Sequence, residues 1–302
     1  MSNAWESSFS TWANGPGKTE AEKCDNAETA VRKAIQSYEP LTGWDISVFA
    51  QGSYKVRTNI RLESDVDICV RLDSPTFFAK YPEGKTREDF GNTKGTIAFA
   101  DYRNLIDEAL SKYFGKGSVF RGEKAFDIHA NTYRVDADVV PALEHRRYTG
   151  RLNPDGSHHF YRGVAFNVNG GGNIVNWPDQ NYVSGNEKNS ATNRRYKRVV
   201  RILKNLRTYM HSKDVAAAND ISSFLIESLV WNAPNYCFSS DEYWENVKSV
   251  LAFLITNTRV LDTCNKWVEV NEMKYLFRSS QPWTFEQAHA FVSAAWQFLQ
   301  MS

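Results

Sequence analysis

Apolar positions along the chain change period several times, and each change predicts a different kind of element. Between residues 18 and 38 good helix formers dominate, and Ala27, Ala30, Val31, Ala34 and Ile35 recur at three- and four-residue spacing, which predicts a long amphipathic first helix. From Trp44 to Leu143 the period shortens. β-rich stretches at 44–50, 65–72 and 132–140 are separated by a Gly- and Lys-rich loop around 80–95 and a helix near 100–113. Residues 145–190, rich in Gly, Asn and aromatics, carry turn signals at Asn153-Pro154-Asp155-Gly156 and Gly170-Gly171-Gly172; loops and short strands forming a lid or connector are expected there. Beyond Ser190 helical spacing returns near 192–212, 221–231, 241–256 and 284–300. The pattern predicts an α+β chain with a mixed sheet and flanking helices in 1–185 and a helical domain in 186–302, the first helix able to span both lobes. No internal repeat is present.

Composition adds exclusions. The 36 basic and 35 acidic side chains of the 302 residues nearly cancel, so overall charge announces neither a nucleic-acid nor a membrane partner. Cys24, Cys69, Cys237 and Cys264 lie far apart without a CxxC pair, which argues against a disulfide framework or a zinc ribbon and for a reduced, cytoplasmic setting. No apolar run is long enough to cross a bilayer, and no signal peptide is expected.

The chemistry concentrates in Gln51-Gly52-Ser53-Tyr54-Lys55 and, shortly after, Ser64-Asp65-Val66-Asp67-Ile68-Cys69-Val70. Alternate side chains of a strand share a face, so Asp65 and Asp67 project together while Val66, Ile68 and Val70 pack behind them. Two carboxylates aimed at one spot repel unless a cation or solvent intervenes, and an all-oxygen pair suits Mg²⁺ or Mn²⁺. In Tyr133-Arg134-Val135-Asp136-Ala137-Asp138-Val139-Val140-Pro141 the device recurs, with Asp136 and Asp138 on one face. Three carboxylates on rigid strands are what a two-ion phosphoryl transfer needs. A tight turn at Gly52-Ser53 offers backbone N–H groups and a hydroxyl to a triphosphate.

Together these residues resemble the Gly-Ser, Asp-x-Asp and separate-Asp signature of the polymerase β nucleotidyltransferases. Within that superfamily the match is to the bacterial CD-NTases, clade E, relatives of cyclic GMP-AMP synthase and oligoadenylate synthase. It continues through Thr58-Asn59-Ile60-Arg61, Asp138-Val139-Val140-Pro141, Asn176-Trp177-Pro178, Lys188-Asn189, Thr192, Tyr196-Lys197 and Arg201-Ile202-Leu203-Lys204-Asn205. The resemblance implies a polymerase β-type core with a C-terminal helical domain, and Asp65, Asp67 and Asp138 as catalytic ligands of two Mg²⁺ or Mn²⁺ ions. Asp136, about 7 Å further along the strand, is the competitor for the third place. The implied activity joins NTPs into a cyclic dinucleotide with release of pyrophosphate, in bacterial anti-phage defence, the product acting on a separate effector protein.

The nucleotide pocket is implied by resemblance to include Gln51, Gly52, Ser53, Asn176, Lys204, Ser223 and Phe224. The helix over 192–212 carries Arg194, Arg195, Lys197, Arg198, Arg201, Lys204 and Arg207; Lys197, Arg201 and Lys204 share one side, open to either a triphosphate or plain solvation, and resemblance singles out Lys204. Asp220-Ile221-Ser222-Ser223-Phe224 reads locally as a helix start. In the related synthases this place supplies a hydroxyl and a stacking ring, the roles implied for Ser223 and Phe224, although Phe224 also reads as core. Asn176 presents a donor and an acceptor that match a uracil edge, or it stabilises a turn. In clade E its counterpart accompanies pyrimidine use, which implies UTP beside ATP and a cyclic UMP-AMP or cyclic di-UMP product. Two other readings are an RNA- or tRNA-directed nucleotidyltransferase and a nucleotide-binding module without chemistry. With no His/Cys cluster for a zinc thumb and a net charge near zero, activity without a nucleic-acid activator is expected, from a monomer away from membranes.

Overall fold

The computed structural model describes residues 4–61, 65–168 and 172–301. Ser64 and the Gly170-Gly171 part of the expected glycine turn lie outside the described residues. In chain order the elements are Glu6–Trp12 (α1), Lys18–Gln36 (α2), Asp45–Ala50 (β1), Gly52–Val56 (α3), Val66–Lys80 (β2), Phe99–Phe114 (α4), Val119–Arg121 (β3) and Phe126–Ile128 (β4). They continue as Ala137–Leu152 (β5), His158–Val168 (β6), Gly172–Asn176 (β7), Pro178–Ala191 (α5), Arg195–His211 (α6), Ser223–Asn232 (α7), Tyr243–Asn257 (α8), Leu261–Cys264 (α9) and Phe285–Met301 (α10). Two compact units result: a sheet unit of Gly17–Tyr54 with Ser64–Asp179, and a helical unit of Met1–Pro16, Lys55–Glu63 and Gln180–Ser302.

In the sheet unit the strand order is β1-β2-β5-β4-β3, with β6 on β5 and β7 on β6. Only β2 and β5 run parallel among the described pairs; the intervening chain, α4 included, supplies the crossover such a pair requires. Val66, Ile68, Val70 and Leu72 of β2 join Val139 of β5 beneath Ala27, Val31, Ala34 and Ile35 of α2 and Tyr102, Ile106 and Leu110 of α4. The opposite face buries Cys69, Val140, Ala142, Val164 and Phe166. With both faces covered, Ile68–Val70 of β2 and Val139–Leu143 of β5 are continuous apolar runs, and Asp67 and Asp138 stand immediately before them.

Two expectations from the local pattern need correction. The strand expected over 132–140 begins only at Ala137, because Asn131 takes up the backbone N–H groups of Tyr133 and Arg134 in a turn. Residues 145–190 are not loops and short strands: β5 and β6 form a long antiparallel hairpin turning at Asn153–Ser157, and α5 follows β7. Gly163 sits within β6, where the strand has no room for a side chain: a Cβ there would lie 2.7 Å from the Asn176 carbonyl oxygen and 2.9 Å from the Trp177 ring.

The helical unit is built around α6, whose Tyr196, Val199, Val200, Ile202, Leu203, Leu206 and Met210 are all buried against α1, α7, α8 and α10. Two helix starts in this unit are satisfied by side chains, one distant in sequence and one adjacent. The Glu6 carboxylate accepts from the Tyr243 and Trp244 N–H groups at 2.9 and 2.7 Å, and Ser222 caps α7 by accepting from Leu225 N. All four cysteines are free and buried. No helix among the described residues is long and apolar enough to cross a membrane.

Candidate active site

The carboxylates meet on the sheet unit. In the β2–β5 pairing Asp67 is the direct partner of Asp138, so their side chains share a face one strand apart, and Asp65 lies just before the strand begins. On the other side of β5, Asp138 faces Asp127 of β4 across an antiparallel pair. Burial and the charge of Asp67, followed by a hydrogen bond with Asp127 and the charges of Asp127 and Asp65, push the Asp138 carboxyl up to about 6. A carboxyl raised this way is held in a site with excess negative charge. Asp136 has other partners: its carboxylate accepts from Ala130 N at 2.6 Å and stands 3.6 Å from the His129 ring. It stabilises the turn into β5, whereas Asp138 stands beside Asp67.

The residues fit a metal centre by chemistry rather than by a finished cage. Among the described residues no group of three His, Cys, Asp or Glu side chains stands ready for an ion. Asp65, Asp67 and Asp138 offer only hard oxygen donors, and the charges of Asp67, Asp127 and Asp65, which add to burial in raising Asp138, are a repulsion a divalent cation would relieve.

Gln51 and Gly52 are locked to the same strand. Gln51 N donates to the Asp67 carbonyl oxygen at 2.8 Å, extending the β1–β2 ladder by one residue. Gly52 then turns with φ +62°, and a Cβ there would lie 2.2 Å from Asp67 Oδ2. Glycine is required twice, for the left-handed backbone and for the carboxylate that fills the space of a side chain. Ser53 follows in α3, half-buried. Asn176 closes β7 opposite Val164, with its residue surface exposed.

The remaining candidates belong to the helical unit. Lys204 is 1% exposed; its ammonium donates to the Thr58 carbonyl oxygen at 3.0 Å and stands 3.5 Å from the Glu227 carboxylate, which also accepts from the Thr58 hydroxyl at 2.7 Å. Ser223 receives a hydrogen bond from Arg207 at 3.0 Å, and Phe224, half-buried, lies 6.0 Å from the Trp283 ring. The basic side of α6 is not a solvated face. Lys197 is buried and donates to Asn186 at 2.6 Å, and Arg201 donates to the carbonyl oxygens of Ala13 and Arg57. Burial pushes Lys197 down to about 8 and Arg201 to about 10.

Sequence reasoning passed over Asp127. Its strand is three residues long, too short for periodicity to register, and only the apolar-polar-apolar alternation of Phe126-Asp127-Ile128 hinted at it.

Residues 183–300 match the family model for the cGAS/DncV-like nucleotidyltransferase C-terminal helical domain. The cyclic dipyrimidine nucleotide synthase CdnE of Legionella pneumophila is 40% identical, covering 99% of both chains. The chain belongs to the CD-NTases, clade E. A second such relative, from Cecembia lonarensis, is 36% identical over 99% of this chain and all of its own length. Among solved structures, the Rhodothermus marinus CdnE c-UMP-AMP synthase with Apcpp and Upnpp superposes with a TM-score of 0.84 at 28% identity, covering 98% of this chain and 96% of the other. As a CD-NTase this protein is a nucleotidyltransferase with a polymerase β-like α+β core and a C-terminal helical domain, and the family uses divalent metal ions to make cyclic dinucleotides from NTPs.

Proposed function

We propose that this CD-NTase makes a uridine-containing cyclic dinucleotide, cyclic UMP-AMP or cyclic di-UMP, from UTP with or without ATP, releasing pyrophosphate at each bond. The observation that carries the site is the pairing of Asp67 with Asp138 beneath the Gly52 turn. Asp65, Asp67 and Asp138 would hold two Mg²⁺ or Mn²⁺ ions. Such ions supply the positive charge that favours the deprotonated 3′-hydroxyl nucleophile and offsets charge on the departing pyrophosphate. Gln51, Gly52 and Ser53 take the triphosphate on backbone N–H groups and the Ser53 hydroxyl. Ser223 and Phe224 contribute a hydroxyl and a stacking ring to the nucleotide. Lys204 is assigned to the nucleotide by family resemblance; its observed bonds to Thr58 and Glu227 support a role in holding the backbone at Thr58.

Uridine content rests on the exposed Asn176 and is supported by the 40% and 36% identical relatives, both named as cyclic dipyrimidine synthases. An Asn amide can accept from uracil N3–H and donate to a uracil carbonyl, the reverse of the pair that adenine presents. The test incubates the pure protein with each labelled NTP, singly and in pairs, with Mg²⁺ or Mn²⁺, and treats the products with phosphatase. Phosphatase-resistant products that need UTP are expected. Products built from ATP and GTP alone would sink the uridine assignment, and RNA-dependent extension would sink the cyclase.

A further inference from the structure

The Gly52-Ser53 turn is held from behind by the first long helix, and we propose that Glu28 and Asp25 of α2 are positioning residues for it. The inference rests on the reading that this turn grips the triphosphate.

β1 is an edge strand, paired only with β2 in the sheet order. Because Gln51 N bonds Asp67 O, the odd-numbered residues of β1 turn their backbone groups toward β2, and Val48 and Ala50 turn theirs outward. An outward edge normally goes to solvent or a further strand. Here side chains of α2 take the strand's place. Glu28 Oε2 accepts from Ala50 N at 2.9 Å, Glu28 Oε1 pairs with Arg32 at 2.6 Å, and Arg32 donates to the Val48 carbonyl oxygen. One Glu–Arg pair therefore satisfies both an outward donor and an outward acceptor in the last three residues before Gln51.

One helical turn earlier, Asp25 does the same for the far side of the turn. Tyr54 donates from its hydroxyl to Asp25 Oδ1 at 2.8 Å and lies 3.1 Å from the Ala21 carbonyl oxygen. Burial, and then this bond, hold the phenol well above its ordinary range, so it stays a donor. Residues 25, 28 and 32 share one face of α2, and they fasten residues 48, 50 and 54 on either side of Gly52-Ser53. Between those fixed points lie only Gln51, Gly52 and Ser53. The apolar core does not demand this arrangement: α2 is already buried through Ala27, Val31, Ala34 and Ile35, and the polar face fixes only where the turn sits.

The test uses the full chain and measures KM for each NTP, kcat and the unfolding midpoint. Glu28→Ala and Tyr54→Phe are expected to raise KM about tenfold, the equivalent of one lost anchoring bond, in protein that is folded at the assay temperature. Glu28→Gln, which keeps an acceptor for Ala50 N, recovers most of the affinity. Thr29→Ala, on the same helix but exposed, changes nothing. A lower unfolding midpoint with unaltered KM in Glu28→Ala and Tyr54→Phe overturns the proposal and leaves these residues purely structural. Ser53→Ala separates the two levels. If Ser53→Ala raises KM and the α2 variants do not, only the positioning role fails; if Ser53→Ala is itself normal, the triphosphate reading of the turn fails and the proposal falls with it.

Discussion

Gly52→Ala puts the geometry of the active site to a quantitative test. The added methyl would sit 2.2 Å from Asp67 Oδ2 and 3.1 Å from its Cγ, where ordinary contact needs about 3.5 Å. Relief requires the carboxylate to move by roughly 1 Å, the scale at which misplacement costs catalysis about 100-fold. Stability is affected differently. The backbone is at φ +62°, which costs an alanine about 1 kcal/mol relative to glycine, and an Asp side chain swings aside at little further expense. We therefore expect kcat to fall at least about 100-fold, measured as pyrophosphate release, while the unfolding midpoint drops by only about 2–4 °C. Gly43→Ala is the matched control: φ there is +83°, and nothing lies within 4 Å of the new Cβ. It bears the same backbone cost without touching a carboxylate. Equal activity in the two variants would refute the close approach as the reason for Gly52.

Asp138→Asn is expected to abolish product formation, whereas Asp136→Asn, which keeps an acceptor for Ala130 N, retains most of it; the reverse ranking in the product assay would hand the third carboxylate to Asp136. Glu227→Ala leaves the 1% exposed Lys204 ammonium without its carboxylate and is expected to cost about 3–5 kcal/mol in denaturant unfolding, and a loss below about 1 kcal/mol would contradict a buried pair. Lys188 and Lys197, each pushed down to about 8 by burial, titrate below the unfolded value of about 10.4, so the unfolded chain binds more protons between those limits and their contribution to stability rises with pH across that window. Converting both to Met should remove that rise, read as the difference in unfolding midpoint from the parent between about pH 7 and 10.5; a difference constant with pH would show that neither lysine is shifted.

Local pattern in the sequence carries faces and periods. It was enough to locate α2, α4, α6, α7, α8 and α10, and to set Asp67 on a strand with Val66, Ile68 and Val70 on its opposite face, because side-chain direction follows from backbone geometry alone. Motif resemblance added the family, which the relatives and the helical-domain match bear out. What lies across from a face is not written in any short window. Asp138 and Asp136 alternate identically along the chain, and only strand register sets one beside Asp67 and the other against Ala130. Asp127 joined the cluster by the same long-range pairing. The basic side of α6 reads as solvated until Ala13, Arg57 and Thr58 close over it, and those segments reach the helical unit from distant parts of the chain. Gly52 looks like any turn glycine until the Asp67 carboxylate occupies the volume its side chain would need. The sequence thus determined which side chains face together, and tertiary structure decided which of those faces meet, because burial and charge crowding depend on neighbours that local periodicity does not encode.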